Sequence, residues 1–238
     1  MTGVQTCALP ISVIDGQTDW HGVLRMSPEP ARERSLHITS SLEGLKLDLP
    51  APLHKAADAS LPATVDMQWP APAATQLRVV LGSLLRTDVT FDDNPSGIKV
   101  SRANVWFGAG EPPVGDAAGL TVGGQIDELD LAGWLKLTAG AKPDKPLASY
   151  LHAAQFTLGR VDYHGASLRD VTLGITTEDG GWRVAFEGPT VSGRMALPGP
   201  GDPQAPWDLE FERLKFMDAS PLPRTSPGHR FWRHKRPD

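Results

Sequence analysis

Apolar and polar residues alternate with period two along most of the chain, and the clearest change of rhythm falls in residues 36–57, LHITSSLEGLKLDLPAPLHKAA. Leu36, Ile38 and Ser40 alternate with His37 and Thr39; after a break, Leu45, Leu47 and Leu49 alternate with Lys46 and Asp48. Each run is a half-buried strand pattern, one side chain in two facing a core. Gly44 opens the second run, where a bend, a bulge or a close backbone approach is expected. Pro50-Ala51-Pro52 stops the strand, because proline has no N–H for a ladder. Leu53, Ala56 and Ala57 then fall at helical spacing, which predicts a short helix near 52–58 with Pro52 in its first turn. The block is architectural: no reactive side chain is concentrated in it.

The same alternation predicts strands over 19–26, 64–69, 76–81, 84–91 and 98–107, the third and fourth joined as a hairpin around Gly82-Ser83. A glycine- and proline-rich link follows at 108–119, the best place for a long loop or a boundary between repeats. Leu120, Val122, Gly124 and Ile126 alternate; Leu131, Trp134 and Leu135 then fall at i, i+3, i+4, predicting a second short helix near 130–137 with Asp130 as N-cap. From residue 149 onward every run is strand-like. Glu178-Asp179-Gly180-Gly181 marks a hairpin turn, and Trp207, Leu209 and Phe211 close the last strand. The expected fold is mainly β: an antiparallel meander forming a curved open sheet or groove, with two brief helices.

Composition narrows this picture. The 238 residues suffice for one large or two small domains with a core. With 24 glycines and 22 prolines a helical bundle is excluded. The net charge of −5 gives no general affinity for nucleic acid, so no nucleic-acid partner is expected. No run of eighteen apolar residues spans a bilayer as a helix. Residues 1–11, MTGVQTCALPI, resemble a sequencing-library adaptor translated in frame, and they lack the basic start and apolar run of a signal peptide. Setting aside 1–12, the native sequence is expected to begin at about residue 13 as a piece of something longer. Cys7, the single cysteine, lies in that leader, so the rest of the chain offers no disulfide, thiolate zinc site or cysteine nucleophile. Residues 217–238 turn abruptly proline-rich and then basic, and are expected to be a disordered or out-of-frame tail.

A search for reactive groupings ends without one. The histidines (His21, His37, His54, His152, His164, His229 and His234) form no H-E-x-x-H and share no helical face, so no metal site is expected. Asp92-Asp93-Asn94 reads as an Asx turn, because the regular acidic positions of a calcium loop are missing. Asp127, Glu128 and Asp130 have the composition of a glycosidase acid pair, but they are expected to open the second helix, where carboxylates favour the positive end of its dipole. There is no phosphate-binding loop at Gly108-Ala109-Gly110 or Gly119–Gly124, and no G-x-S-x-G elbow. No catalytic residue and no cofactor site is assigned.

What remains is the apolar pattern. Packed against a second sheet, the apolar faces would make an ordinary sandwich core. Left as the inner face of a curved open sheet, they would form a greasy trough in which each buried methylene contributes about 0.8 kcal/mol. Periodicity alone does not separate the two. Candidate inward positions are Trp20, Trp69, Val89, Phe91, Val184 and Phe186.

Several segments together resemble one family. Ser40-Ser41-Leu42-Glu43-Gly44-Leu45, Leu49-Pro50-Ala51-Pro52-Leu53 and Lys55-Ala56-Ala57 are similar to the S-x-L-x-G-L … L-P-x-P-x-x-K block of YhdP-type proteins, members of the AsmA-like superfamily of bacterial envelope proteins. Gly16 with Trp20-His21-Gly22, and Gly119-Leu120-Thr121-Val122-Gly123-Gly124 with Leu129-Asp130-Leu131-Ala132-Gly133-Trp134, resemble two further blocks. Val161-Asp162-Tyr163-His164-Gly165, Leu168-Arg169-Asp170-Val171, Trp182 and Val191-Ser192-Gly193 follow the family's recurring hairpins. The likeness runs from about residue 14 to about residue 216.

The resemblance implies a large protein held in the Gram-negative inner membrane by one helix in the missing N-terminal part. Its body, on the periplasmic face, would be a β-groove carrying phospholipid towards the outer membrane. It implies no enzyme activity, no cofactor, and phospholipid acyl chains as the partner, with other envelope proteins alongside. Two readings of other classes stand beside it: a carbohydrate-binding or hydrolytic β-sandwich, which needs exposed coplanar tryptophans or a carboxylate pair in a cleft, and a structural docking module of an envelope complex.

Overall fold

The computed structural model describes residues 13–27, 34–70, 74–94, 97–110, 118–138, 150–163, 166–178, 181–198 and 206–215. The leader at 1–12, the tail at 217–238, Cys7, His164, His229, His234 and the Asp179-Gly180 turn lie outside the described residues. The strands are β1 (Ile14–Gly16), β2 (His21–Arg25), β3 (Arg34–Ser40), β4 (Leu45–Leu47), β5 (Ala63–Trp69), β6 (Thr75–Leu81) and β7 (Leu85–Asn94). They continue with β8 (Gly97–Phe107), β9 (Gly119–Asp130), β10 (Leu151–Tyr163), β11 (Ala166–Glu178), β12 (Gly181–Glu187), β13 (Val191–Leu197) and β14 (Asp208–Leu214); one helix, α1 (Leu131–Thr138), lies between β9 and β10.

Twelve strands hydrogen-bond into one open sheet, in the order β14-β13-β12-β11-β10-β9-β8-β7-β6-β5-β3-β2, while β1 and β4 pair separately. The sheet is mixed, which corrects the expected antiparallel meander: β9 runs parallel to both β8 and β10. Parallel neighbours need a crossover instead of a tight turn, and the links are there. The sequence between β8 and β9 is residues 108–118, and that between β9 and β10 is α1 with residues 139–149. The strands on either side of the 108–119 link are therefore neighbours, in register from Arg102↔Gly119 to Phe107↔Gly124. The sequence Asp92-Asp93-Asn94 continues β7, paired with Lys99, Ile98 and Gly97, and makes no Asx turn.

Residues 41–62 leave the sheet between β3 and β5 and form a strap. Gly44 adopts a φ of 86°, and a Cβ there would run into the Gln17 carbonyl, which accounts for the glycine between the two alternating runs. Leu42, at φ 50°, is buried, its N–H bonded to Ser40 Oγ at 3.0 Å. The expected helix near 52–58 does not form. Instead Leu47 and Lys55 exchange backbone hydrogen bonds of 2.9 and 3.0 Å, and the buried Lys55 ammonium donates to the carbonyls of Leu45 (2.6 Å) and Ala56 (3.0 Å). One turn of helical spacing cannot repay helix nucleation, so the tertiary bridge wins.

The second helix does form. Asp130 Oδ1 accepts from the Gly133 N–H at 2.8 Å, the N-cap bond that the spacing predicts. Asp127 and Glu128 belong to β9, not to the helix, so the dipole does not account for them; the Asp127 carboxylate accepts from the Gln125 amide at 3.2 Å. The strap reaches α1. Ala51 O accepts from Trp134 Nε1 at 2.9 Å and from the Asp130 N–H at 3.3 Å. This contact joins the β3–β5 link to the end of β9, past β6, β7 and β8 in the sheet order.

Candidate functional site: the apolar face of the sheet

Strand register decides which side chains share a face, because paired residues point the same way. One line of directly paired positions crosses all twelve strands. From the β2 edge it runs Gly22, Ile38, Val65, Val79, Thr87, Val105. It continues through Val122, Ala154, Ile175, Val184, Met195 and Leu209. Only Thr87 carries a polar group. At about 4.8 Å per strand, eleven steps make a row about 50 Å long.

A second row on the same face starts at Ser40, Ala63, Leu81 and Leu85. It goes on through Phe107, Gly124, Phe156, Leu173, Phe186, Gly193 and Phe211. The glycines let aromatic rings from their two neighbours meet. The Phe186 and Phe211 rings stand 6.1 Å apart at 69° across Gly193, whose absent Cβ would lie 2.9 Å from Phe186 Cζ. The densest part of the face is around Ile126, Leu158 and Val171, with Leu129 and Val161 packed beside them.

The opposite face is mostly polar. Its matching row begins Val23, His37, Asp66, Arg78, Asp88, Asn104. His37 Nδ1 lies 2.6 Å from Asp66 Oδ1, and Arg78 Nε donates to Asp88 Oδ1 at 2.6 Å, so polar side chains pair across strands. Trp106 is the aromatic exception, lying over Gly123. A hollow of about 510 Å³ on this side is lined by Gln155, Gly174, Ala185 and Arg194, and it exists because Gly174 has nothing within 4 Å of where a Cβ would be.

Five of the six candidate positions share the apolar face: Trp69, Val89 and Phe91 in β5 and β7, Val184 and Phe186 in β12. Val184 is buried at 5 % exposure and the other four are half-buried. Trp20 precedes β2 and is 53 % exposed, at the open edge. Sequence reasoning missed Phe107, Phe156, Leu173 and Phe211. The in-phase glycines at 124 and 193 were the available signal, since a strand glycine marks close approach by a neighbour. Among the described residues there is no group of three potential metal ligands and no second sheet packed face to face on the first. No described helix is long and apolar enough to cross a membrane.

A single open sheet, mainly apolar on one side and mainly polar on the other, defines a protein that presents a long hydrocarbon surface. The chain belongs to the YhdP protein family, whose model matches residues 5–230. No curated protein and no solved structure matches it.

Proposed function

We propose that this chain is a segment of an AsmA-like envelope protein whose apolar sheet face shields phospholipid acyl chains and conducts them between the inner and outer membranes. The protein is held at the periplasmic face of the inner membrane by an anchor outside this segment, and its role is non-catalytic. The observation that carries the reading is the unbroken row from Gly22 to Leu209 across one open twelve-stranded sheet. Twelve right-handedly twisted strands in one sheet curl instead of lying flat, and the burial of Ala63, Ala154, Leu158, Val171 and Val184 on the apolar side supports its being the inside of the curl. Its length of about 50 Å exceeds the roughly 30 Å of a bilayer's whole hydrocarbon core, so several acyl chains fit end to end. Burying some ten methylenes contributes on the order of 8 kcal/mol, enough to hold a chain without any bond chemistry.

The polar face keeps the outside of such a groove wetted, and the strap with α1 forms one rim at the strand ends. Protein expressed in bacteria and purified without detergent is expected to carry phospholipid, identified by extraction and mass spectrometry at a fixed ratio to protein. A folded, lipid-free preparation that takes up none from vesicles would contradict the proposal.

A further inference from the structure

The apolar face changes character at the strand ends opposite the strap. The two rows traced above carry no charge, and the next row towards those ends, Leu36, Met67, Leu77, Val89 and Ala103, has no polar side chain. One pair further along β3 and β5, Arg34 stands opposite Trp69, and period two puts its side chain on the same face as Leu36 and Ile38. Arg34 is half-buried, and its Nε is shut off from solvent with no hydrogen-bond partner among the described residues. A cation thus sits at the end of a hydrocarbon surface with a donor to spare.

Arginine cannot shed its charge, so the cost of holding an unpaired guanidinium N–H away from water is offset only when an acceptor arrives. Its planar fork of donors grips phosphate oxygens two at a time, which a lysine does not. Trp69 beside it is of the residue type that settles at the level of lipid headgroups, apolar in body with one polar N–H. Thr75, paired with Phe91 on the next two strands, brings a hydroxyl to the same end of the face. The length agrees as well. From Arg34 to Ser40, β3 runs about 20 Å, and one leaflet's hydrocarbon is roughly 15 Å deep, half of a bilayer core. A lipid with its phosphate at Arg34 has room for its tails on the rows below.

We infer that Arg34 holds the phosphodiester of a glycerophospholipid at the rim opposite the strap, with Trp69 beside the headgroup and the tails on Leu36, Met67 and Leu77. The inference rests on the reading of the apolar face as a bed for acyl chains, and adds the place and chemistry of headgroup recognition.

Uptake by the full, delipidated chain from maltoside micelles tests it, with dioleoylphosphatidylglycerol and dioleoylglycerol offered in equal amounts and the bound lipid extracted for mass spectrometry. The two lipids share their tails and differ in the phosphate headgroup. The parent is expected to take up the phospholipid at least about tenfold better, the worth of one hydrogen bond to a charged group. Arg34→Met, which fills the stem's volume, is expected to bring phospholipid down to the diacylglycerol level and leave diacylglycerol uptake unchanged. Its urea midpoint without lipid should match or exceed the parent's, because the lost group has no partner in the chain. Phospholipid uptake by Arg34→Met equal to the parent's would overturn the inference. So would a variant that is less stable or unfolded, since the guanidinium would then be a structural group. Inorganic phosphate in excess is expected not to displace the lipid; displacement to the diacylglycerol level would make free phosphate the ligand and overturn the headgroup site. A parent that takes up both lipids alike overturns this inference alone, whereas one that takes up neither contradicts the acyl-chain reading beneath it.

Discussion

Phe107 and Phe156 belong to strands that do not touch, yet their ring centroids lie 6.4 Å apart, inclined at 46°, because the residue between them is Gly124. The glycine removes the one side chain that would separate the two, and a Cβ there would run into the Phe107 backbone. Phe186 and Phe211 repeat the arrangement over Gly193. Such pairs contribute about 0.5–1.5 kcal/mol beyond their burial. Phe107→Ala and Phe156→Ala are therefore expected to be non-additive by about that amount in a double-mutant cycle of urea unfolding. Full additivity would show that the rings do not support one another.

Gly193→Val is expected to destabilise by about 1–3 kcal/mol, because the new side chain meets the Phe186 ring and the Glu210 carbonyl. Gly174→Val, two strands away on the polar face and open around its Cβ position, is expected to be neutral or slightly stabilising. Urea midpoints of the two variants make the comparison, and equal losses would refute it.

The strap is fastened at Ala51. Trp134→Phe keeps an aromatic ring but removes the Nε1–H that donates to the Ala51 carbonyl along with part of the indole, so a loss of at least about 0.5–1.5 kcal/mol is expected. Amide exchange in residues 45–55 should speed up more than exchange in β10, and uniform acceleration would mean that the bond does not fasten the strap.

Lys55→Met tests the bridge that replaced the expected helix. The ammonium satisfies two carbonyls from inside the strap, and methionine fills the volume while leaving both without a donor. A cost of about 1–3 kcal/mol in chemical unfolding is expected. Arg78→Met, which removes an exposed partner of Asp88 on the polar face, should cost about 1 kcal/mol or less.

These contrasts show what the sequence made readable. Period two placed the apolar side chains, so the alternation in β5, β7 and β12 located Trp69, Val89, Phe91, Val184 and Phe186 on strands, and register then put them on one face. The Asp130 cap and α1 were equally legible, because a capping carboxylate and an i, i+3, i+4 spacing are local signals. Strand order was not. Nothing in the residues of β8 and β9 announces that they run parallel, since that depends on the path of the connecting chain. The strap misled for a related reason: Leu53, Ala56 and Ala57 satisfy helical spacing, but Lys55 finds its partners in Leu45 and Leu47, set by the fold. The aromatic pairs over Gly124 and Gly193 became visible only once three neighbouring strands were aligned.

The account rests on one face of the sheet meeting hydrocarbon while the other meets water. A photo-crosslinking amino acid placed in turn at residues 183, 184, 185 and 186 of β12, in the protein expressed in its bacterial envelope, tests this most directly. Crosslinks to phospholipid are expected at Val184 and Phe186 and to be lacking at Arg183 and Ala185, a period-two alternation along one strand. Crosslinks at all four positions, or at none while the protein is folded, would contradict it.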